Sequence, residues 1–166
     1  MSTIPVSELT QSIVDLLTEA YQGPPDANTP TWFNDNDPNG GVFGLISPLS
    51  AVEASTSADG SGNPGTTVAA HVEHLRWSLA NANGALRGDP YQSNWKESWQ
   101  VFSVDGAEWN LLRLNLQSEV KTLCNAIQKQ ENLEGPFLNG LLALVPHAAY
   151  HLATIRQMIE RVKEKK

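Results

Sequence analysis

Apolar residues recur every three or four positions in four separate stretches of the chain. This spacing predicts helices over about residues 7–21, 66–88, 107–130 and 137–162. The alternating pattern that indicates β-strands is nearly absent. Four helices that each carry one apolar stripe bury those stripes against one another. The pattern therefore predicts an all-α fold, a four-helix bundle.

Two long connections join the predicted helices. The first, residues 23–65, holds six of the ten prolines and seven of the twelve glycines, and it predicts a loop with one short helix near residues 45–54. Its apolar side chains, among them Trp32, Phe43 and Ile46, indicate that it packs on the body of the protein. A loop of this length is typically functional or covers a site. The second, residues 89–105, carries Trp95 and Trp99.

Composition narrows the functional classes. The 166 residues, 40% of them hydrophobic, suffice for one core, and we expect residues 1–166 to form one domain. The formal charge of −7 argues against a partner that is a nucleic acid or an anionic membrane. No apolar run is long enough to span a bilayer, and the N-terminus has no secretory pattern. With the single cysteine Cys124, these features predict a soluble cytoplasmic protein.

All four histidines fall in two short segments. His71 and His74 are three residues apart on the second predicted helix, and His147 and His151 are four apart on the fourth. Both spacings place two imidazoles on one helix face. Such a pair can bind one divalent metal ion, and a third histidine from a facing helix completes a site with positions open to water or substrate. Solvent-exposed histidines are the alternative interpretation.

Two other side chains lie beside these histidines in the sequence. Glu73 adjoins His74 and is a candidate general base, although a solvated helix residue is the plainer interpretation. Tyr150 precedes His151 and is a candidate hydrogen-bond donor to the site, with packing on a neighbouring helix as the alternative.

Two motifs resemble those of a known family. Residues 67–75, with the sequence TVAAHVEHL, resemble the second-helix motif of the DinB/YfiT-like superfamily. Residues 145–157, with the sequence VPHAAYHLATIRQ, are similar to its fourth-helix motif. The likeness extends over the whole chain in helix order and in the long first connection. It implies a four-helix bundle with up-down-down-up connectivity and a divalent metal, commonly zinc or nickel, held by three histidines.

Carried over by position, the resemblance implies that the metal ligands are His74, His147 and His151. The ligand of the family's second helix lies seven residues after the capping Ser or Thr, and Thr67 leads to His74. The apolar stripe of that helix, however, lies nearer to His71. His71 therefore remains an alternative ligand or a partner that orients one.

The resemblance also implies two alternative functions. Relatives include S-transferases that use low-molecular-weight thiols, so this chain would be a metal-dependent transferase or a hydrolase-like enzyme with a small-molecule substrate. The alternative is a non-catalytic metal-binding or stress-associated dimeric helical bundle. A homodimer formed through a helix face is compatible with both. Fold similarity alone does not fix the reaction, and the geometry of the site has to decide.

Overall fold

The computed structural model describes residues 4–164, which contain six α-helices and no β-strand. Helix makes up 64% of the structure. Four of the helices are long, and each begins and ends within two residues of its predicted bounds. The helices are α1 (Val6–Gln22), α2 (Val42–Ile46), α3 (Ala51–Ala54), α4 (Val68–Leu86), α5 (Gly106–Gln128) and α6 (Gly135–Glu164), with a 3₁₀ helix at Trp95–Trp99 between α4 and α5.

The apolar stripes of the four long helices meet in one core. Helices α1 and α4 each pack against both α5 and α6. Leu17, Leu75, Leu116 and Ile155, one from each long helix, are among the buried residues of this core. Such burial contributes about 1.5–3 kcal/mol per large aliphatic side chain, so the stripe pattern is the main determinant of the fold.

The N-terminus of α4 is fixed by its N-cap residue, Thr67. The Thr67 hydroxyl accepts a hydrogen bond from the Ala70 amide at 3.2 Å. The same hydroxyl donates to the Phe102 carbonyl at 2.8 Å, which ties the second connection to the start of α4. This helix end therefore holds the segment that contains the 3₁₀ helix close to the first turns of α4.

The first connection contains two short helices, α2 and α3, where the pattern predicted one. Pro48 lies between them, and Ser50 begins α3 with a capping box to Glu53. The connection packs on the core as expected, and Val42 and Ile46 are buried. Trp32 is the exception, because 79% of its surface is exposed.

Close backbone approach makes glycine necessary at two places in this connection. Gly23 ends α1 with φ +86°, a conformation that residues with a side chain rarely adopt. A Cβ atom on Gly44 would lie 2.2 Å from the Asn39 carbonyl oxygen, so any side chain there must move the backbone. The glycines of the loop therefore set its path over the end of α1.

Helix α6 presents two of the four histidines directly after an internal proline. Pro146 has no amide hydrogen to donate within the helix, and His147 follows it. The length and apolar character required to cross a lipid bilayer are found together in no helix of the described residues.

Candidate metal centre

All four histidines meet where α4 faces α6. One ring nitrogen from each of His74, His147 and His151 lies within 4.8 Å of the other two. Nε2 of His74 is 3.0 Å from Nε2 of His147, and Nδ1 of His151 is 2.8 Å from Nδ1 of His71. The structure thus brings together the three predicted ligands from two helices. The fourth histidine, His71, contacts His151.

The hydrogen bonds of His74 fix which of its nitrogens carries the proton. Nδ1 lies 2.7 Å from the Ser98 hydroxyl, and that hydroxyl donates to the Trp95 carbonyl at 2.7 Å. Because Ser98 has one proton and gives it to the carbonyl, Nδ1 of His74 must be the donor to Ser98. A neutral His74 therefore has its lone pair on Nε2, which faces the cluster.

A second chain of hydrogen bonds fixes His151 through His71. Nε2 of His71 lies 2.9 Å from the Gly65 carbonyl, which can only accept, so this nitrogen carries the proton. Nδ1 of a neutral His71 is then an acceptor, and Nδ1 of His151 donates to it. The lone pair of His151 is left on Nε2. His71 thus orients a candidate ligand, which is one of the two roles left open for it by the sequence.

His147 is the most accessible member of the cluster. It is half-buried, whereas His71, His74 and His151 are at most 5% exposed. Its Nδ1 lies 3.4 Å from the Ser78 hydroxyl, which can either donate or accept. His147 can therefore carry its proton on either nitrogen, and with the proton on Nδ1 it offers a third lone pair to the cluster.

Burial keeps the cluster uncharged at neutral pH. Desolvation lowers the pKa of all four histidines below the usual value. The pKa of His74 falls to about 4, first through burial and then through repulsion from His147 and His71. The same two causes lower the pKa of His151 to about 2. Neutral imidazoles are the form that binds metal ions.

Two cavities open on either side of the cluster. The first, which we call the Lys96 cavity, has a volume of about 640 Å³ and is lined by residues that include His71, Lys96, Tyr150 and His151. The second, which we call the apolar cavity, has a volume of about 610 Å³ and reaches His147. It is lined by Ser78, Ala82, Ala85, Leu86, Tyr91, Trp95, Pro136, Phe137, Gly140, Leu141, Ala143, Leu144 and His147.

The 3₁₀ helix covers the cluster with aromatic rings. The Trp99 ring stacks on His74 with centroids 4.0 Å apart, and Trp95 lies 5.7 Å from the same imidazole. Ser98, between them in sequence, is fully buried. Sequence reasoning identified this segment only as a connection rich in tryptophan, and it missed the support that Ser98 gives to His74.

Glu73 and Tyr150, which adjoin the histidines in sequence, are not members of the three-histidine group, although the Tyr150 ring contacts His151 with centroids 5.1 Å apart. Arg76 donates to both carboxylate oxygens of Glu73 at 2.7 Å, on the side of α4 that faces α5. Glu73 is therefore not positioned to act as a base at the histidine cluster. Tyr150 is 67% exposed and lines the Lys96 cavity. Cys124 is half-buried in a groove beside Thr18 of α1, on another face of the protein.

Comparison with known proteins adds no relative to this picture. Neither a family model, nor a curated protein, nor a solved structure matches the chain. The DinB/YfiT-like resemblance stays a prediction, and the function has to be argued from the cluster and its cavities.

Proposed function

We propose that His74, His147 and His151 bind one divalent metal ion and that this ion is catalytic. The observation that carries the proposal is the convergence of three imidazole nitrogens, two of them with a proton position set by Ser98 and by His71. Histidine ligands whose other nitrogen is held by a hydrogen bond are typical of metal sites. Two nitrogens bound to one tetrahedral zinc ion lie about 3.3 Å apart, close to the 3.0 Å between His74 and His147.

An open coordination position supports catalysis over a purely structural ion. Within residues 4–164, no further His, Cys, Asp or Glu joins the three-histidine group. Structural zinc sites are almost always closed by four protein ligands, whereas catalytic sites keep a position free. The cavities beside His147 and His151 give a small molecule access to that position.

The linings of the cavities favour thiol transfer over hydrolysis. A divalent ion supplies Lewis-acid chemistry, which lowers the pKa of a thiol or a water molecule that it binds. Among the described residues, no Asp or Glu lines either cavity, so hydrolysis has no carboxylate base there. A free thiol has a pKa of about 8.5, against about 15.7 for water, so a much smaller lowering of the pKa by the ion forms the thiolate without a base. The role of this chain's residues is to hold the ion and to exclude water from it.

The DinB/YfiT-like connectivity, up-down-down-up, is part of the same proposal. The pairs His71–His151 and His74–His147 support an antiparallel arrangement of α4 and α6. Contact of Gln11 with Gln128 and of Thr18 with Cys124 supports the same for α1 and α5. The hydrogen bond from Asn83 to Glu119 joins the C-terminal halves of α4 and α5, which supports a parallel pair.

Metal content tests the proposal. We expect about one zinc or nickel ion per wild-type chain after reconstitution and removal of excess metal, measured by elemental analysis. His74→Ala, His147→Ala and His151→Ala should each lose most of the bound metal, because two ligands bind a divalent ion much more weakly than three. Tyr150→Phe is the matched control and should keep it. A wild-type protein without metal, or three variants that all retain it, would refute the proposal.

A further inference from the structure

The apolar cavity beside His147 is formed by small residues on two facing helices. Ala82 and Ala85 lie in α4, and Gly140 and Ala143 lie in α6. Larger side chains at these four positions would fill the space between the two helices. Leu86, Phe137 and Leu144 are among the other residues that line the cavity. The result is a cavity of about 610 Å³, within the range of pockets that enclose small-molecule ligands.

The chemistry of the walls excludes charged ligands. No Asp, Glu, Lys or Arg of the described residues lines this cavity. Moving a charged group into such surroundings without a partner is costly. The Lys96 cavity on the other side of the cluster differs, because it has a cationic side chain in its wall.

Two polar side chains mark the end of the apolar cavity that touches the cluster. His147 and the buried Ser78 line that end, and the Trp95 ring lies 6.1 Å from His147 and 5.7 Å from His74. A molecule in this cavity therefore has apolar surroundings along its length and the candidate metal position at one end.

We propose that the apolar cavity binds an uncharged, mainly apolar small molecule whose single polar group reaches the metal ion beside His147. This inference rests on the proposed function, and it adds the class of substrate. The metal would bind the polar group, and the walls would select the apolar or aromatic part by its size. Trp95 would contact both parts of the molecule.

The test uses 4-phenylimidazole and imidazole, two neutral probes that share one metal-binding nitrogen. Their affinities for the zinc-loaded protein are measured by calorimetry above neutral pH. We expect 4-phenylimidazole to bind about 10- to 100-fold more tightly than imidazole, the gain typical of burying a phenyl group. Equal affinities would overturn the inference and leave the proposed function intact.

Two variants that fill the apolar cavity test whether 4-phenylimidazole binds there or elsewhere on the protein. Ala82→Phe places a ring in the cavity and should remove the preference for 4-phenylimidazole while zinc binding persists. Gly140→Phe repeats the test in case the first variant fails to fold, because a Cβ atom at Gly140 meets no other atom within 4 Å. Ala153→Phe, on the exposed side of α6, is the matched control and should keep the preference. A preference that survives in the folded filling variants would overturn the inference.

Toluene, which has no metal-binding atom, distinguishes failure of the cavity from failure of the metal site. If the wild-type protein does not bind zinc, both the proposed function and the inferred contact of the ligand with the metal are overturned. Toluene binding by the metal-free protein, observed by NMR and abolished in Ala82→Phe, would support the apolar half of the inference. Absence of toluene binding by the metal-free wild-type protein would overturn the apolar half of the inference.

Discussion

His71 provides the sharpest test of how the cluster is organised. In the structure it accepts a hydrogen bond from Nδ1 of His151 at 2.8 Å and donates one to the Gly65 carbonyl at 2.9 Å. Replacement by leucine removes both bonds. His151 then gains stability by moving its proton to Nε2, the nitrogen that should bind the metal. We therefore expect His71→Leu to bind zinc more weakly while the three proposed ligands remain in place.

The expected loss follows from the role of a residue that holds a ligand without binding the metal. Removal of such a partner typically costs 10- to 100-fold in metal affinity, or about 1.4–2.8 kcal/mol. His71→Gln should bind zinc within a few-fold of the wild type. Its amide can donate to Gly65 and its carbonyl oxygen can accept from His151.

Zinc affinity is measured by competition with a chromophoric chelator, and the stability of each metal-free variant is measured by urea unfolding. If His71→Gln loses metal as completely as His151→Ala, His71 is itself a ligand. If His71→Leu binds zinc as the wild type does, the proton position on His151 is not set by His71. Either result would refute the reasoning.

Two further predictions concern stability. The free energy of unfolding of the metal-free protein should fall as the pH drops from about 6.5, where unfolded histidines take up protons, to about 4, the pKa of folded His74, and should be flat from pH 7 to 8. Urea unfolding at each pH measures it, and a constant value below pH 6.5 would contradict the assignment of buried, neutral histidines. Gly44→Ala should destabilise the protein by about 1–3 kcal/mol, because the new Cβ meets backbone. Gly140→Ala, in open space, should be neutral or stabilising by up to about 1 kcal/mol; equal effects in thermal unfolding would contradict the packing described.

Helix positions were predictable because burial imposes a repeat on the sequence. The stripe through Leu75 and Leu79 shows where α4 lies, and Thr67 shows where it begins. Histidine spacing likewise indicated a shared face on each of two helices. That these two faces meet depends on how the helices pack against one another, which the pattern of a single helix does not reveal.

The residues that hold the histidines by hydrogen bonds were not marked by any comparable sequence pattern. Gly65 contributes through its backbone carbonyl, which every residue has, so no side chain marks it. Ser98 lies 24 residues from His74, in a segment without helical periodicity. Ser78, one turn after His74, lies 3.4 Å from Nδ1 of His147 instead. The apolar cavity depends on small residues whose significance appears only once α4 and α6 face each other.

The two groups that set the proton positions of His74 and His151 belong to the connections between helices. Gly65 ends the first connection and Ser98 lies in the second. The imidazoles that they bond, His71 and His74, lie on α4, and His71 in turn holds His151 of α6. Occupancy of the centre and closure of these two segments are therefore thermodynamically linked. An ion that prefers the oriented imidazoles must lower the population of open forms of both segments. Protection of their amides from hydrogen exchange would then report on binding of the ion.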